Sequence, residues 1–472
     1  MSNSDRDDVF PPGTIKLEEQ QGIESEFKLS PTPSDDPDDP LNWSPVRKAV
    51  NFGLTCSYVL FTFVLVDINS LAYRGYMSEL GLTYATFNQA SGSNFAGLAI
   101  GCLLFIPCCD CAVCMCYLVG KLPQSWRTHW GHEAVVVITI VDLFFVHQHA
   151  RMNGIFLFMQ SLGSTGGPIA AGYIVVSMGW RWMWWMIAIF LGVNLILVLL
   201  FFEESKYIPL VKIAEPSTLR VTTRSTVGAR RSRKSVRQRL AFVTKTDMPI
   251  VQHFYQPLLI LFSFPAVAYT AITYGTILAW FSANASSGSY FLLDEPYEFS
   301  PSAIGLFHFG GFLGTFIATL TVPALNDWFI VRAAKKNGGI FEPEMRLWMS
   351  IPGALLNCAG LLIYGQGIYG FGFITTADVA LTYLTDCYPD ILGDALIAIV
   401  CIRNGFAMVV RFAFTPWVTG MGIQDTFILI AMLALITVAL PILLMIYGKR
   451  ARANTADKYR NYAARQPVHR KA

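Results

Sequence analysis

WMWWMIAIFLGVNLILVLLFF, residues 182–202, carries no charged side chain and is closed at once by Glu203 and Glu204. A bilayer core of ~30 Å takes about 20 apolar residues as a helix, so this run has the length and composition of a membrane span. Working outward, similar runs occupy 153–177 immediately before it and 50–71 and 90–107 further upstream. Six more follow at 256–281, 303–325, 347–365, 367–386, 393–418 and 425–447. The whole chain of 472 residues is 53% hydrophobic and 14% charged, against ~25% charged in a soluble domain. The reading is an all-α polytopic membrane protein with about ten complete spans.

Charge is confined to a few blocks. Residues 1–48 hold 11 acidic and 5 basic side chains among Pro and Ser, a composition that predicts a disordered tail. Residues 206–245 hold 11 Lys or Arg against Glu215, and residues 449–472 hold 8 against Asp457. Lys and Arg near span ends stay in the cytoplasm. The expected layout is therefore a cytoplasmic acidic tail (1–48), a helical bundle (49–205), a cytoplasmic basic linker (206–250), a second bundle (251–448) and a basic cytoplasmic tail (449–472). No pattern of a cleaved signal peptide opens the chain, so the first span is expected to serve as the targeting signal. The basic excess is local and follows no face, which argues against a nucleic-acid partner. The sequon Asn284-Ala285-Ser286 falls after the first span of the second half, where this layout predicts an external loop and glycosylation at Asn284.

An ionisable side chain at mid-bilayer costs at least ~2.5–3.5 kcal/mol, so each one needs a partner, water or a task. Asp67, at the end of its span, is a candidate for binding a proton or a cationic solute, or else a helix-end carboxylate wetted from outside. Asp378 and Asp386 lie a little over two helical turns apart on roughly one face. Asp386 precedes Pro389 and reads as structural, whereas Asp378 is deeper and a candidate for the substrate or proton pathway. Arg411 stands in an apolar helix and cannot shed its charge, so it needs a carboxylate, Asp378 or Asp67, or a water-filled cavity. Tyr274 and Trp280 mix aromatic and polar character along one span and are candidates for a pocket that takes an organic cation. Gly163, Gly167, Pro168 and Gly172 allow close helix approach and a kink. The aromatic run 180–185 reads as an interfacial belt. Six cysteines crowd into 102–116 without paired CxxC knuckles, which leaves a metal reading weak beside buried or lipidated thiols. No HExxH, GxSxG or phosphate loop occurs, so an enzyme is not expected and no cofactor is implied.

Several motifs together resemble the fungal multidrug branch of the major facilitator superfamily, the drug:proton antiporters. Asp39-Pro40-Leu41-Asn42-Trp43-Ser44 resembles the lead into the first span, residues 163–172 the antiporter motif of the fifth, and Phe202-Glu203-Glu204-Ser205-Lys206-Tyr207 the exit from the sixth. Asn326-Asp327-Trp328 through Arg332, with 336–347, resembles the cytoplasmic loop between the eighth and ninth spans, which marks Asp327 and Arg332 as its motif residues. Tyr383 to Pro389 and Ile402-Arg403-Asn404 complete the set. The resemblance implies the major facilitator fold, two bundles of nominally six spans each, in a monomer with both termini cytoplasmic, most naturally in the plasma membrane. It also implies alternating access, with export of small organic or drug-like compounds against inward proton flow. The chain departs from the family between Pro107 and Glu133, where most of the third and fourth spans are missing; the short join at Gly365-Gln366-Gly367 points to further loss, and Arg411 replaces a small or polar residue. A second reading is therefore an inactive membrane protein that lacks essential spans, and a third is a cysteine-based metal carrier.

Overall fold

The computed structural model describes residues 11–16, 39–109, 139–140, 143–144, 146–203, 250–293, 295, 297–437 and 439–463. The basic linker and Cys111, Cys114 and Cys116 lie outside them. Thirteen helices are described: α1 (Pro45–Asp67), α2 (Tyr73–Leu80), α3 (Tyr84–Cys109), α4 (Val146–Ser161), α5 (Gly167–Met178), α6 (Trp180–Phe201), α7 (Ile250–Ser263), α8 (Pro265–Phe291), α9 (Pro301–Lys336), α10 (Ser350–Leu362), α11 (Gln366–Cys387), α12 (Leu392–Thr437) and α13 (Ala439–Ala463). The only strands among the described residues are two dipeptides, β1 (Ile15–Lys16) and β2 (Ile340–Phe341), paired antiparallel with Ile15 opposite Phe341.

The first bundle starts where the sequence says it should. Asp39 accepts a hydrogen bond from the Leu41 amide at 2.9 Å, and the Ser44 hydroxyl accepts one from Arg47 N at the start of α1, with Pro45 in the first turn. Arg47 stacks 3.8 Å over the Trp43 ring and pairs with Glu203 just past α6. The Asn51 side chain accepts the Glu203 amide at 2.8 Å. Lead-in and exit motifs thus close on each other, which fixes the first and last helices of this bundle side by side at one membrane face.

The second bundle is built on close backbone approach. A Cβ on Gly314 would lie 1.9 Å from Gly367 O, one on Gly370 2.7 Å from Gly311 O, and one on Gly372 2.4 Å from Asn357 N. Without a hydrophobic force between helices in lipid, such contacts and interhelical hydrogen bonds supply the association. α11 is buried along most of its length among its neighbours, so its Thr and Asp content never meets lipid. α6 is the opposite case, with Ile189, Phe190, Val193, Ile196, Leu200 and Phe201 exposed as a lipid-facing surface.

The structure revises several expected boundaries. Among the described residues five continuous stretches are both long and apolar enough to cross a membrane: Pro45–Leu80, Trp180–Phe201, Pro265–Gly288, Pro301–Lys336 and Pro389–Ala463, the last being 75 residues long and joining more than one expected span. The expected span at 256–281 breaks at Phe264–Pro265, where Phe264 is extended, as the Pro ring favours for the residue before it, and Pro265 lacks a donor. α9 runs 36 residues, about 54 Å at 1.5 Å per residue, and carries Asp327 and Arg332 on a helix, not in a loop. Nothing stops it before Asn337, Gly338 and Gly339, the two glycines at φ +67° and +80°. α10 has 13 residues, too few to span as a helix alone, in keeping with the short join after it. The long α12 is two helices meeting at Gly422, φ 83°, where the sequence expects a gap between spans. α13 stays helical to Ala463, and its Arg452, 1% exposed, grips Glu344 through two hydrogen bonds of 2.8 and 2.5 Å and also donates to Pro12 O and Thr14. The expected tail therefore begins as a packed helix.

Gly314→Val is expected to destabilise the folded chain by about 1–3 kcal/mol, the usual penalty of overpacking, read as a lower melting temperature in detergent. Gly97→Val, at a glycine with nothing within 4 Å of an added Cβ, is expected to leave that temperature unchanged.

Candidate functional site

A cavity lies between the two bundles and takes its walls from α1, α3, α4 and the turn after it, α8, α9, α11 and α12. The space open to the centre of a water molecule is about 40 Å³, enough for a few waters where each needs roughly 10–15 Å³. On one side the halves are shut together. The Asn88 amide donates to Thr415 Oγ1 at 2.9 Å, Tyr84 OH to Ser286 O at 3.2 Å, and Cβ atoms on Gly172 and Gly305 would lie 2.6 and 2.7 Å from Pro301 O and Pro168 O. Gly172 and Pro168, two residues of the expected conformational motif, therefore hold α5 directly against α9 of the other bundle.

The rest of that motif shapes the cavity wall. Gly163 and Gly167 let the chain press on α1, where a Cβ would fall 2.5 Å from Leu60 O and 2.8 Å from Val64 Cγ2. Between α4 and α5, residues Leu162–Gly166 form one π-helical turn. Such turns insert an extra residue and frequently mark functional sites. Ser164 and Thr165 of this turn line the cavity, and Ser164 hydrogen-bonds Asp67. Asp67 itself stands where α1 gives way to a 3-10 turn over Ile68–Ala72. It is 9% exposed and the only carboxylate among the described cavity residues.

Arg411 lies behind the cavity wall and is not among its lining residues. Its Nε donates to Ser282 Oγ, its guanidinium lies 6.0 Å from the Phe95 ring, and it interacts electrostatically with Asp67. Of the two carboxylates the sequence offered as partners, the structure selects Asp67.

Asp378 goes elsewhere. It is buried outside the cavity and within electrostatic reach of Arg346 and Asp327. Arg346 pairs with Asp386 and lies 3.7 Å from Asp327, so the eight-residue spacing of Asp378 and Asp386 serves a charge cluster at the end of α9 and α11. Arg332 stacks 5.4 Å over Trp328 on the same helix. Tyr274 and Trp280 do not line the cavity either. Leu278, Phe281 and Ser282 do, and at 100° per residue Trp280 lies on the far side of α8 from Leu278 and Ser282, packed with Leu361, Val410 and Phe414. Tyr274 supports the wall from behind, with its hydroxyl donating to Gln160 Oε1 at 3.4 Å and its ring 5.1 Å below Arg403.

Asn284 is a correction. It lies inside α8, 6% exposed, and exchanges two hydrogen bonds of 3.2 Å with Gln366. The helix runs on past the expected loop, and the buried amide pair occupies the nitrogen that a glycan would need.

Gln160, Gln366, Arg403 and Asn404 line the cavity without having been read as site residues. One signal was available: Arg403 precedes Arg411 by eight residues, the same spacing that marked the two aspartates. Among the described residues no group of three or more His, Cys, Asp and Glu is placed to hold a metal ion.

Two helical bundles in lipid with a polar cavity at their interface define a membrane solute carrier. Residues 131–410 match the Major Facilitator Superfamily, and the chain belongs to that family of membrane transporters; it is not an enzyme. It is similar to an uncharacterized MFS-type transporter of Schizosaccharomyces pombe, 27% identical over 95% of this chain and 94% of the relative. It is 25% identical to Protein HOL1 of Saccharomyces cerevisiae over 97% and 98% of the two chains, and 25% to the efflux pump radE of Floropilus chiversii over 89% and 84%. The alignment with the Schizosaccharomyces pombe relative runs over 544 positions against 472 residues here, so that relative carries segments with no counterpart in this chain. In fold the chain is similar to the human organic anion transporter MFSD10 (TETRAN), with a TM-score of 0.54 at 17% identity, covering 84% of this chain and 100% of that one.

Asn284→Ala, which strands the Gln366 amide, is expected to destabilise the protein by about 1–3 kcal/mol in thermal unfolding. Endoglycosidase treatment is expected to produce the same change in gel mobility, if any, in the variant as in the parent; a shift lost only in the variant would restore the sequon.

Proposed function

We propose that this chain is a secondary carrier that exports small organic compounds in exchange for protons, alternating access around the interbundle cavity as a monomer in the plasma membrane, with both termini and the basic linker cytoplasmic. The observation that carries this reading is the position of Asp67. It is a buried carboxylate in the wall of a cavity that mixes polar side chains with aromatic rings, beside a helix irregularity on each of two facing segments, where a proton and a solute would compete for one site. The shut contacts of α3 with α12 and of α5 with α9 are between the bundles, so rocking one half against the other would open them. Names of relatives support the direction, since radE and the MFS2 protein of Trichophyton rubrum, 25% identical over 88% of this chain, are both called efflux pumps.

The longer relatives favour one competing reading, a chain too incomplete to transport. Efflux decides between them. Cells expressing the full chain are expected to accumulate less of a panel of aromatic dyes than control cells, and a protonophore is expected to abolish the difference. Asp67→Asn is expected to remove the pH dependence of export, and Asp378→Asn to retain it. Absence of any efflux would favour the inactive chain, and efflux indifferent to the protonophore would remove proton coupling. Cysteine labelling in sealed vesicles is expected to find 206–250 and 449–472 on one face; opposite faces would overturn the topology.

A further inference from the structure

Asp67 belongs to the first bundle and Arg411 to the second, so the attraction between them crosses the interface that parts when the halves rock. Arg411 stands behind the cavity wall, 6% exposed, with a charge it cannot lose at physiological pH. Its Nε donates to Ser282 of α8, and its Nη1 has no hydrogen-bond partner among the described residues. The groups it faces from the first bundle are the Phe95 ring at 6.0 Å, Tyr84 and Asp67.

Both residues that hold Arg411 in place lie one turn from the shut contacts. Thr415, four residues after Arg411 on α12, accepts from Asn88, and Ser286, four after Ser282 on α8, offers its carbonyl to Tyr84. Phe412, next to Arg411, packs on Gly92 of α3, where a Cβ would lie 2.9 Å from its ring. Arg411 thus sits where α8 and α12 press on α3, while Asp67 lines the cavity. The wall also brings the ionisable side chains Tyr369 of α11 and Arg403 of α12. Outside it stand Tyr84 of α3, His308 of α9 and Tyr274 of α8, whose hydroxyl goes to Gln160. The charge that acts on Asp67 is that of Arg411. Two opposite charges taken out of water depend on each other, because their attraction is strong in low dielectric and neither keeps its hydration. Arg411 cannot change its state, so the carboxylate decides how strongly the halves attract.

From this arrangement we propose that Asp67 and Arg411 form a charge latch across the bundle interface, with Arg411 the positioning residue that couples the occupancy of the cavity to the shut contacts. The bare carboxylate attracts Arg411 and holds α8 and α12 against α3. A proton on Asp67, or an ammonium group beside it, cancels the attraction and frees those contacts to part. A carrier whose empty anionic site is held, and whose proton-loaded or solute-loaded site is released, exchanges one for the other. The inference rests on the transport reading and supplies its coupling step.

Crosslinking across the shut contact tests the latch without requiring transport. Asn88→Cys and Thr415→Cys, at side chains that meet at 2.9 Å, are placed in the full-length chain with a protease site added within 206–250, and the protein is purified in detergent. After oxidation and cleavage, the halves stay joined on a denaturing gel where the pair has linked; the chain without the pair gives the background. The pH is fixed and mildly alkaline, which favours the ionised carboxylate. Asp67→Asn is expected to slow crosslinking roughly fivefold or more, the low end of coupling between sites, and Arg411→Gln to do the same. Asp67→Glu and Arg411→Lys, which keep the charges, are expected to crosslink near the parent rate. The double variant Asp67→Asn with Arg411→Gln is expected to be no slower than either single one, because the second change has no attraction left to remove. Asp67→Asn crosslinking at the parent rate would overturn the proposal. So would a double variant slowed by the product of the single effects, the mark of two independent structural injuries. Where Arg411→Gln does not fold, the contrast of Asp67→Asn with Asp67→Glu decides alone. Crosslinking that tracks Asp67 in a chain without efflux would remove the transport reading and leave the latch, and proton-dependent efflux with crosslinking blind to Asp67 would do the reverse.

Discussion

Close approach of one backbone to another at glycine is the constraint on which this structure depends. In lipid, apolar side chains gain nothing by leaving hydrocarbon for a neighbouring helix, so helices are held by packing and polar contacts that act only at short range. Gly314 against Gly367, Gly372 against Asn357, and Gly172 and Gly305 against the carbonyls of Pro301 and Pro168 supply that range. The first two build the second bundle, and the others join the bundles to each other.

The same glycine-rich segment sets the geometry of the cavity. Gly163 and Gly167 bring it onto α1, and the π-helical turn at Leu162–Gly166 places Ser164 and Thr165 in the cavity wall, Ser164 beside Asp67. Packing and chemistry are therefore one feature: a larger residue at Gly163 would meet Leu60 O and move Ser164 with it. Two charge systems are kept apart by the fold. Arg346, Asp327, Asp386 and Asp378 form one at the ends of α9 and α11, and Asp67 with Arg411 forms the other at the cavity. The first centres on Arg346, which pairs with Asp386 and lies near Asp327 away from the cavity, whereas in the second only Asp67 lines the cavity and Arg411 stands behind its wall.

Much of the fold was legible in the sequence because hydrophobic length and punctuation are local properties. The apolar runs became helices, the Asn-Trp-Ser lead-in became the start of α1, and the Gly422 region became the break between two helices. Boundaries failed where hydropathy and helicity part company. α9 continues through Asp327 and Arg332 because polar residues end a span without ending a helix. Asn284 lost its external loop for the same reason, as α8 carries it past the apolar stretch into a buried amide pair.

By itself the sequence determined that the chain is a helical membrane protein, which of its charges must be buried, and where glycine permits close packing; composition and spacing suffice for these because they follow from the energetics of single residues in lipid. Only the tertiary structure decided which charges meet. Asp67, not Asp378, faces Arg411, and Leu278, Phe281 and Ser282, not Tyr274 and Trp280, form the α8 wall of the cavity. Those outcomes turn on the rotation of each helix about its own axis, a quantity set by contacts between residues hundreds of positions apart.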